Sequence, residues 1–387
     1  MDTTPRNIAA PEAGLGRARV AVSLVFLVLG CGNGLWAVHI PIVTQRLGLD
    51  PGVVGLALFT AAVGAVGTMP LTGMALGRFG SRLPTAVLAL IYPVVLPLPI
   101  LAPSTPFLFV VMLLFGATMG GLDVAMNMQA AEVETARRRP TMSSFHGFFS
   151  LGALAGSSLG GLLIAGGWGN GSGGIVVGIV LLAVAAWAGT NLWRSERRPT
   201  AAGPRFALPP VALVGLGAIT FLAFAGEGAV TDWSALFLAT VKQSGAAAAA
   251  SGVVAFSVAM VVCRLTGDAV VARLGRLTTA VAGGGLVAVG MIVAVVGPTP
   301  LLSAPGFAIV GIGAANLVPV AISAAARVPG ISPGIAVAGV TSMGYVGFLF
   351  VPPILGFIAR AWGLPASLIV VAAMGLAIAA LAGSVRR

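Results

Sequence analysis

The feature that most constrains this chain is a series of long apolar runs. About twelve runs of roughly 20 residues follow one another, and about 20 apolar residues are what one helix needs to cross a bilayer. Strands of a membrane barrel would be about ten residues long and would alternate apolar with polar residues, whereas these runs are apolar on every face. The sequence therefore predicts an all-α integral membrane protein with twelve transmembrane helices.

The composition excludes the soluble classes of protein. The chain has 387 residues, of which 58% are hydrophobic and only 8% are charged, and its mean hydropathy is +1.05. A soluble domain carries about 25% charged residues. A soluble enzyme, a nucleic-acid-binding protein and a disordered chain are therefore excluded as interpretations.

The distribution of basic residues predicts the orientation in the membrane. The chain has 21 Lys and Arg against 10 Asp and Glu, a net charge of +11. With the N-terminus in the cytoplasm, seventeen basic residues fall in cytoplasmic segments, Arg264 falls within a span, and only Arg46, Lys242 and Arg360 fall outside. The positive-inside rule then predicts that both termini are cytoplasmic. The excess charge is explained by topology, so no nucleic-acid partner is expected.

A polar stretch near the middle of the chain predicts a division into two bundles. The segment from Trp193 to Phe206 is the longest polar stretch between spans. We therefore expect an N-terminal six-helix bundle over 1–193, a cytoplasmic linker over 194–207 and a C-terminal six-helix bundle over 208–387.

The two predicted bundles resemble each other at an offset of about 194 residues. The segment 32–34 (Gly-Asn-Gly) aligns with 226–228 (Gly-Glu-Gly), and 78–80 (Arg-Phe-Gly) aligns with 273–275 (Arg-Leu-Gly). Two parallel six-helix halves, with a substrate site between them near the membrane midplane, are typical of one large class of secondary transporters.

The loop after the second span resembles the loop 2–3 signature of the major facilitator superfamily. In the segment GMALGRFGSR, Gly73, Arg78, Gly80 and Arg82 match that signature, whereas Gly77 occupies its acidic position. The resemblance implies two pseudo-symmetric six-helix bundles that transport by alternating access. It also implies that Arg78 and Arg82 contribute to gating, although the usual charge latch lacks its acidic member here.

Further segments are similar to the YbjJ-like branch of that superfamily: GLDVAMN at 121–127, SSFHGFFSLG at 143–152 and AFAGEGAVTDW at 223–233. The chain is more distantly similar to fucose:proton symporters. Their span 4 acidic residue, with Asn four residues later, corresponds to Asp123 and Asn127, and a polar residue early in span 5 corresponds to His146. Their acidic residue in span 1 corresponds to Gly34 here, which departs from the symporter pattern.

Few ionisable residues lie at membrane depth, where each costs about 2.5–3.5 kcal/mol on insertion scales. Asp123 and Asn127 are four residues apart and therefore share a helix face. They predict a titratable carboxylate beside an amide that binds a polar substrate. The alternative is a carboxylate that only joins neighbouring helices.

Two acidic residues of span 7 are further candidates. Glu227 lies between two glycines and, through the repeat, opposite Asn33, so we expect both residues in the substrate cavity. Asp232 is five residues nearer the outside and adjoins Trp233. It predicts an external gate or an ion-pair partner, with a hydrated helix end as the alternative.

Histidine side chains titrate near neutral pH, so His146 would pass protons to Asp123, although a purely structural role is also open. Trp36 and Tyr345 are candidate walls for a sugar-like or aromatic solute, but aromatic side chains are also common at membrane interfaces. Asn316 of span 10 is a polar cavity candidate.

Arg264 and Asp268 lie four residues apart at the inner end of span 8, a spacing that permits an ion pair. We expect this pair to form a cytoplasmic gate or a structural latch rather than part of the substrate site.

These patterns together predict a secondary active transporter of the cytoplasmic membrane. Its solute would be small and polar or amphipathic, and protons would couple through Asp123, Glu227 and His146. The alternative is a proton-driven exporter of drugs or hydrophobic metabolites. We expect a monomer in contact with membrane lipids. No enzymatic activity or cofactor is expected. No metal is expected either, because the only cysteines and histidines, Cys31, Cys263, His39 and His146, show no metal-ligand spacing.

Overall fold

The computed structural model describes residues 12–137, 141–169, 171–194, 213–325, 327–331 and 333–386. Within these ranges the regular structure is helical and no strand is present. The predicted linker, 194–207, lies outside the described residues except for Arg194.

The helices of the first half are α1 (Glu12–Leu47), α2 (Pro51–Phe79), α3 (Arg82–Val95), α4 (Pro97–Leu101), α5 (Thr105–Arg137), α6 (Met142–Ala165) and α7 (Ser172–Asn191). Those of the second half are α8 (Val214–Thr240), α9 (Ala246–Ala249), α10 (Ser251–Val296), α11 (Pro300–Ala314), α12 (Leu317–Ala325) and α13 (Pro333–Leu381). A short 3-10 turn, Ala382–Arg386, follows α13.

The number of membrane crossings agrees with the twelve predicted spans. Among the described residues, eleven helical stretches are long and apolar enough to cross a membrane. The last of them covers 48 residues, Gly339–Arg386, which is far more than one crossing requires. Its backbone turns at Gly363, where φ is 85°, so this stretch crosses twice. Helices α3 and α4 share one crossing, as do α11 and α12.

A pair of glycine turns confirms the internal repeat. Gly80 follows α2 with φ 75° and ψ 176°, and Gly275 divides α10 with φ 78° and ψ 160°. A positive φ is readily adopted only by glycine. The two glycines are aligned members of the two Arg-x-Gly segments, so the same turn recurs at the same place in each half.

Close packing joins the two halves at one membrane face. We call the face at which α1 begins the terminal face and the face at which α1 ends the distal face. Gly55 of α2 and Gly356 of α13 meet near the distal face. A Cβ atom added to Gly356 would lie 2.7 Å from the Pro51 carbonyl oxygen and 2.9 Å from the Gly55 Cα. The helix backbones are therefore in direct contact there, as small residues allow in membranes.

A cluster of buried alanine and valine residues closes the distal face on another side. Five buried residues form one apolar cluster there. They are Ala37 and Val38 of α1, Ala235 of α8, Val253 of α10 and Ala250, which directly precedes α10. The cluster joins the outer part of α1 to the second half. The contacts of α2 with α13, together with this cluster, keep the distal face closed.

Candidate functional site

An ion pair lies in the interior between the halves. Arg264 of α10 donates from Nη2 to both carboxylate oxygens of Glu227 of α8, at 3.2 Å to Oε1 and 3.0 Å to Oε2. The side chains are 22% and 17% exposed, respectively. A largely buried pair needs additional hydrogen bonds to offset the loss of hydration.

Such an additional hydrogen bond comes from the other half of the molecule. Arg264 Nη1 donates to the Ser150 hydroxyl of α6 at 3.0 Å. The guanidinium group therefore bridges the halves, and its acidic partner is Glu227. The predicted pairing with Asp268 involves a side chain outside the described part of the structure, so a gating role for Asp268 stays a prediction.

The ion pair borders a small cavity between the halves. The volume open to the centre of a water molecule is about 40 Å³, more than the roughly 10–15 Å³ that one water needs. Polar groups on its wall come from Asn33, Ser150, Glu227, Thr231, Ser257 and Arg264, and apolar groups from Phe149, Ala153, Val253, Phe256 and Met260. The expectation that Asn33 and Glu227 face one cavity therefore agrees with the geometry.

A second polar bridge joins the halves through a different pair of helices. The Tyr345 hydroxyl of α13 donates to Asp123 Oδ2 of α5 at 2.8 Å. Asn127 Nδ2 donates to Asp123 Oδ1 at 3.2 Å and to the Asp123 carbonyl oxygen at 2.8 Å. The predicted helix face of Asp123 and Asn127 is present, and it meets the opposite half through Tyr345.

Aromatic rings lie beside this second bridge. The ring of Tyr345 lies 5.9 Å from that of Phe224 of α8, and Phe224 lies 5.1 Å from Phe348. These separations fall in the usual range of aromatic pairs. Tyr345 therefore makes a polar contact with the first half and an apolar contact within its own, second half.

Two predicted substrate residues have helix-packing contacts instead. Trp36 is 5% exposed, and its ring lies 6.2 Å from Phe115 within the first half. Asn316 Nδ2 donates to the Cys263 carbonyl oxygen at 3.4 Å, a contact between neighbouring helices of the second half. The cavity beside Arg264 is lined by other residues.

His146 and Asp232 lie near the centre but outside the hydrogen-bonded groups. His146 is exposed and meets the Phe26 ring edge-on at 5.2 Å. It lies one helical turn before Ser150, whose hydroxyl also donates to the His146 carbonyl oxygen at 3.3 Å. Asp232 is half-buried on α8, five residues beyond Glu227 toward the distal face.

The predicted gating residues of the loop after α2 lie at the terminal face. The Arg78 guanidinium carbon lies 5.2 Å from the centre of the Phe79 ring. Arg82 Nη2 donates to the Thr190 carbonyl oxygen of α7 at 2.8 Å. Arg82 therefore ties the start of α3 to the end of α7 within the first half.

A buried network that the sequence did not indicate reinforces the same loop. Ser81 donates to Glu132 Oε2 at 2.6 Å, and Gln129 Nε2 donates to the Ser81 hydroxyl at 2.6 Å. The amide of Trp193 donates to Gln129 Oε1 at 3.0 Å. Neutral groups and one carboxylate thus hold the loop at Ser81, beyond Gly77, the acidic position of the family signature.

Sequence reasoning also missed Ser150, Thr231 and Ser257 as cavity residues. Hydroxyl side chains are frequent in membrane helices, where they commonly bond to their own backbone. Thr231 does so, donating to the Glu227 carbonyl oxygen at 2.9 Å. Spacing along the helix gave no signal that distinguished these three residues from other hydroxyls. Among the described residues, no group of three or more His, Cys, Asp or Glu side chains is arranged to hold a metal ion.

Comparison with known proteins agrees with this architecture. The Major Facilitator Superfamily profile matches residues 22–329. An uncharacterized MFS-type transporter of Yersinia pestis is 35% identical over 95% of this chain and 96% of its own length. Membrane protein MosC of Rhizobium meliloti is 34% identical over 93% of this chain and 88% of its own length.

Solved structures share the fold at low sequence identity. The nucleoside transporter NupG, as a mutant, has a TM-score of 0.76 at 13% identity and covers 96% of this chain and 100% of its own. A bacterial homologue of the human lysosomal transporter Spinster, in an inward-facing and occupied conformation, has a TM-score of 0.71 at 15% identity, covering 95% of this chain and 96% of its own. The profile match, the relatives and the twelve-helix architecture together show that the chain belongs to the major facilitator superfamily of membrane transporters.

Proposed function

We propose that this transporter is a secondary active transporter that moves a small polar solute across the cytoplasmic membrane by alternating access, driven by protons. One observation carries the proposal. Arg264 binds Glu227 within its own half and Ser150 of the other half, beside a cavity that contains further polar groups. Because Arg264 contacts both bundles, a solute that bound Arg264 would change the contacts between the bundles.

The acidic residues supply the proton coupling in this proposal. Asp123 accepts hydrogen bonds from two neutral donors, Tyr345 and Asn127, and a charge at membrane depth is costly. Protonation removes that charge and adds an O–H donor to the carboxyl group, which weakens its acceptance of the hydrogen bonds from Tyr345 and Asn127. Protonation of Glu227 would likewise weaken its attraction to Arg264. The exposed imidazole of His146, one turn from Ser150, supplies a route for protons.

We infer the identity of the two faces from the distribution of basic residues. With both termini in the cytoplasm, the terminal face is cytoplasmic and the distal face external. The contacts of Gly55 with Gly356 close the distal face. The structure then corresponds to a state closed to the outside. We also propose that the protein works as a monomer in contact with the lipids of the cytoplasmic membrane.

The cavity wall favours a polar solute over a hydrophobic drug. Asn33 and Ser257 face the cavity from α1 and α10, and the ion pair lies between them and the terminal face. Apolar side chains such as Phe149, Phe256 and Met260 supply much of the same wall, so an exporter of hydrophobic compounds remains the alternative. We prefer a polar solute because the wall also carries the ion pair and several hydroxyl and amide groups.

The test uses purified protein in proteoliposomes with an imposed pH gradient, acidic outside. The vesicles are incubated with a mixture of sugars, sugar acids, amino acids and nucleosides, and the lumen is analysed by mass spectrometry. We expect at least one polar solute to accumulate when the gradient is present and to equilibrate without accumulating when it is collapsed.

Variants separate coupling from transport. In the Asp123→Asn and Glu227→Gln variants, gradient-driven accumulation should fall at least tenfold. Asp50→Asn, at the start of α2 near the distal face, is the matched control and should accumulate the solute as the wild type does. Accumulation that is indifferent to the gradient and to both variants would contradict proton coupling.

A further inference from the structure

The hydrogen bonds of Arg264 leave part of its guanidinium group unused. Glu227 contacts only Nη2, with both of its oxygens, and Ser150 contacts only Nη1. A guanidinium has five N–H donors, so the contacts among the described side chains leave Nε and further N–H groups without an acceptor. The strongest pairing of Arg with a carboxylate uses two parallel bonds from two nitrogens, and Glu227 does not form that arrangement.

Glu227 balances the charge of Arg264 when no solute is bound. An unpaired guanidinium inside the membrane would be costly, and the Glu227 carboxylate neutralises it. The single-nitrogen contact is weaker than a two-nitrogen pair. A carboxylate on a solute that approached through the cavity would therefore gain a better geometry with Arg264 than Glu227 has.

The rest of the cavity indicates what the solute carries beyond its charge. Ser257 precedes Arg264 by seven residues, two helical turns on the same face and about 10 Å along the axis. Asn33 faces the same cavity from the first half. A hydroxyl two helical turns from Arg264, with an amide on the same cavity wall, matches a short chain that bears hydroxyl groups.

We propose that the solute is a small hydroxylated organic acid, whose carboxylate binds Arg264 and whose hydroxyl groups bind Asn33 and Ser257. The inference rests on the proposed transport function and specifies the substrate class of the same site. Glu227 acts as an internal substitute for the solute carboxylate. It competes with the solute for the guanidinium and does not bind the solute.

The test compares matched ligands that differ only at one end. Gluconate, glucitol and glucamine carry the same hydroxylated chain with a carboxylate, a hydroxymethyl group or an amine, and glycerate and threonate provide shorter acids. Binding to purified wild-type protein in detergent is measured by calorimetry. We expect at least one acid to bind at least tenfold more tightly than the matched alcohol and amine.

Three variants test the roles of the side chains. Arg264→Lys keeps the charge but loses the planar fork, so acid binding should weaken at least tenfold. Glu227→Gln removes the competing carboxylate, so acid binding should tighten at least threefold, a change that a purely structural role for Glu227 would not produce. Arg273→Gln, an exposed arginine later in α10, is the control and should bind as the wild type does. Thermal unfolding of each variant verifies that it is folded.

Three outcomes would overturn the inference: an alcohol or amine that binds as tightly as its acid, acid binding that is unchanged in Arg264→Lys, or no binding of any of the three acids. The proteoliposome experiment distinguishes this failure from failure of the proposed function. Gradient-driven accumulation of a neutral or cationic solute would preserve the transporter and remove the acid as its substrate.

Discussion

Tyr345 and Asp123, 222 residues apart in the chain, meet at 2.8 Å between the phenolic hydroxyl and Oδ2. The contact links α13 of the second half to α5 of the first. A second link, from Arg264 to Ser150, joins α10 to α6. The two halves are thus held at the level of the cavity by two hydrogen bonds on two different helix pairs.

Tyr345→Phe removes only the hydroxyl of the first link. A hydrogen bond to a charged group contributes about 1.5–3 kcal/mol, and 1.4 kcal/mol corresponds to a tenfold change in an equilibrium. The substitution should therefore shift the equilibrium about tenfold or more away from the distal-closed state. Single-molecule fluorescence transfer between labels on the two halves measures that equilibrium.

The control for this prediction is the same substitution at Tyr92. Its hydroxyl donates to the Leu29 carbonyl oxygen at 3.2 Å, within the first half. Tyr92→Phe should lower stability without moving the equilibrium between the halves. An equal shift in both variants would contradict a specific role for the Tyr345 link.

The distal closure depends on the absence of a side chain at Gly356. In Gly356→Ala the added methyl group would meet the Pro51 carbonyl oxygen at 2.7 Å, and overpacking of this kind costs about 1–3 kcal/mol. We expect α2 and α13 to separate near the distal face. A cysteine placed at Leu58, which is 7% exposed, should then react faster with a membrane-impermeant thiol reagent from the outside.

Gly67→Ala is the matched control on α2, because a Cβ atom there has no neighbour within 4 Å. It should leave the reactivity at position 58 unchanged and stabilise the helix slightly, since alanine is the better helix former by about 1 kcal/mol. Slow labelling in the Gly356→Ala protein would show that the distal closure does not depend on this crossing.

The ion pair should show strong coupling in a double-mutant cycle. Arg264→Gln leaves the Glu227 carboxylate in a site that is 17% exposed, and breaking a buried pair on one side costs about 3–5 kcal/mol. The double variant Glu227→Gln/Arg264→Gln removes both charges and should recover most of that loss. Apparent melting temperatures of the purified proteins measure this, and additive losses would contradict the pairing.

Ser150→Ala should act in the same direction as Tyr345→Phe, because it removes the acceptor of Arg264 Nη1. Since the two links lie on different helix pairs, their effects on the equilibrium between the halves should add. Ser157→Ala is the control on the same helix, because the Ser157 hydroxyl donates to its own helix at the Leu154 carbonyl oxygen. The same fluorescence measurement applies, and an effect of Ser157→Ala equal to that of Ser150→Ala would argue against the link.

The fold was predictable from the sequence because its signals are local. Apolar runs of sufficient length define the spans, and the Arg-x-Gly repeat reappears as the paired turns at Gly80 and Gly275. The contact of Asn127 with Asp123 was equally predictable, since a spacing of four residues places two side chains on one helix face.

The partners across helices were not predictable in this way. Periodicity shows which residues share a face but not which helix that face meets. Arg264 therefore received a local partner, Asp268, in the sequence interpretation, whereas its described partner Glu227 is 37 residues away on α8. Trp36 was expected at the cavity for the same reason, and its ring instead packs against Phe115 within the first half.

The two links, Tyr345 to Asp123 and Arg264 to Ser150, stabilise the distal-closed arrangement of the halves in this mechanism. Paired distances across the two membrane faces test that role. Spin labels at Phe79 and Leu274 report on the terminal face, and labels at Trp168 and Leu301 report on the distal face; all four side chains are exposed. In the Tyr345→Phe/Ser150→Ala protein we expect the distal distance to lengthen and the terminal distance to shorten, relative to wild type. If both distances lengthen together, or only one of them changes, the two links do not control alternation between the faces.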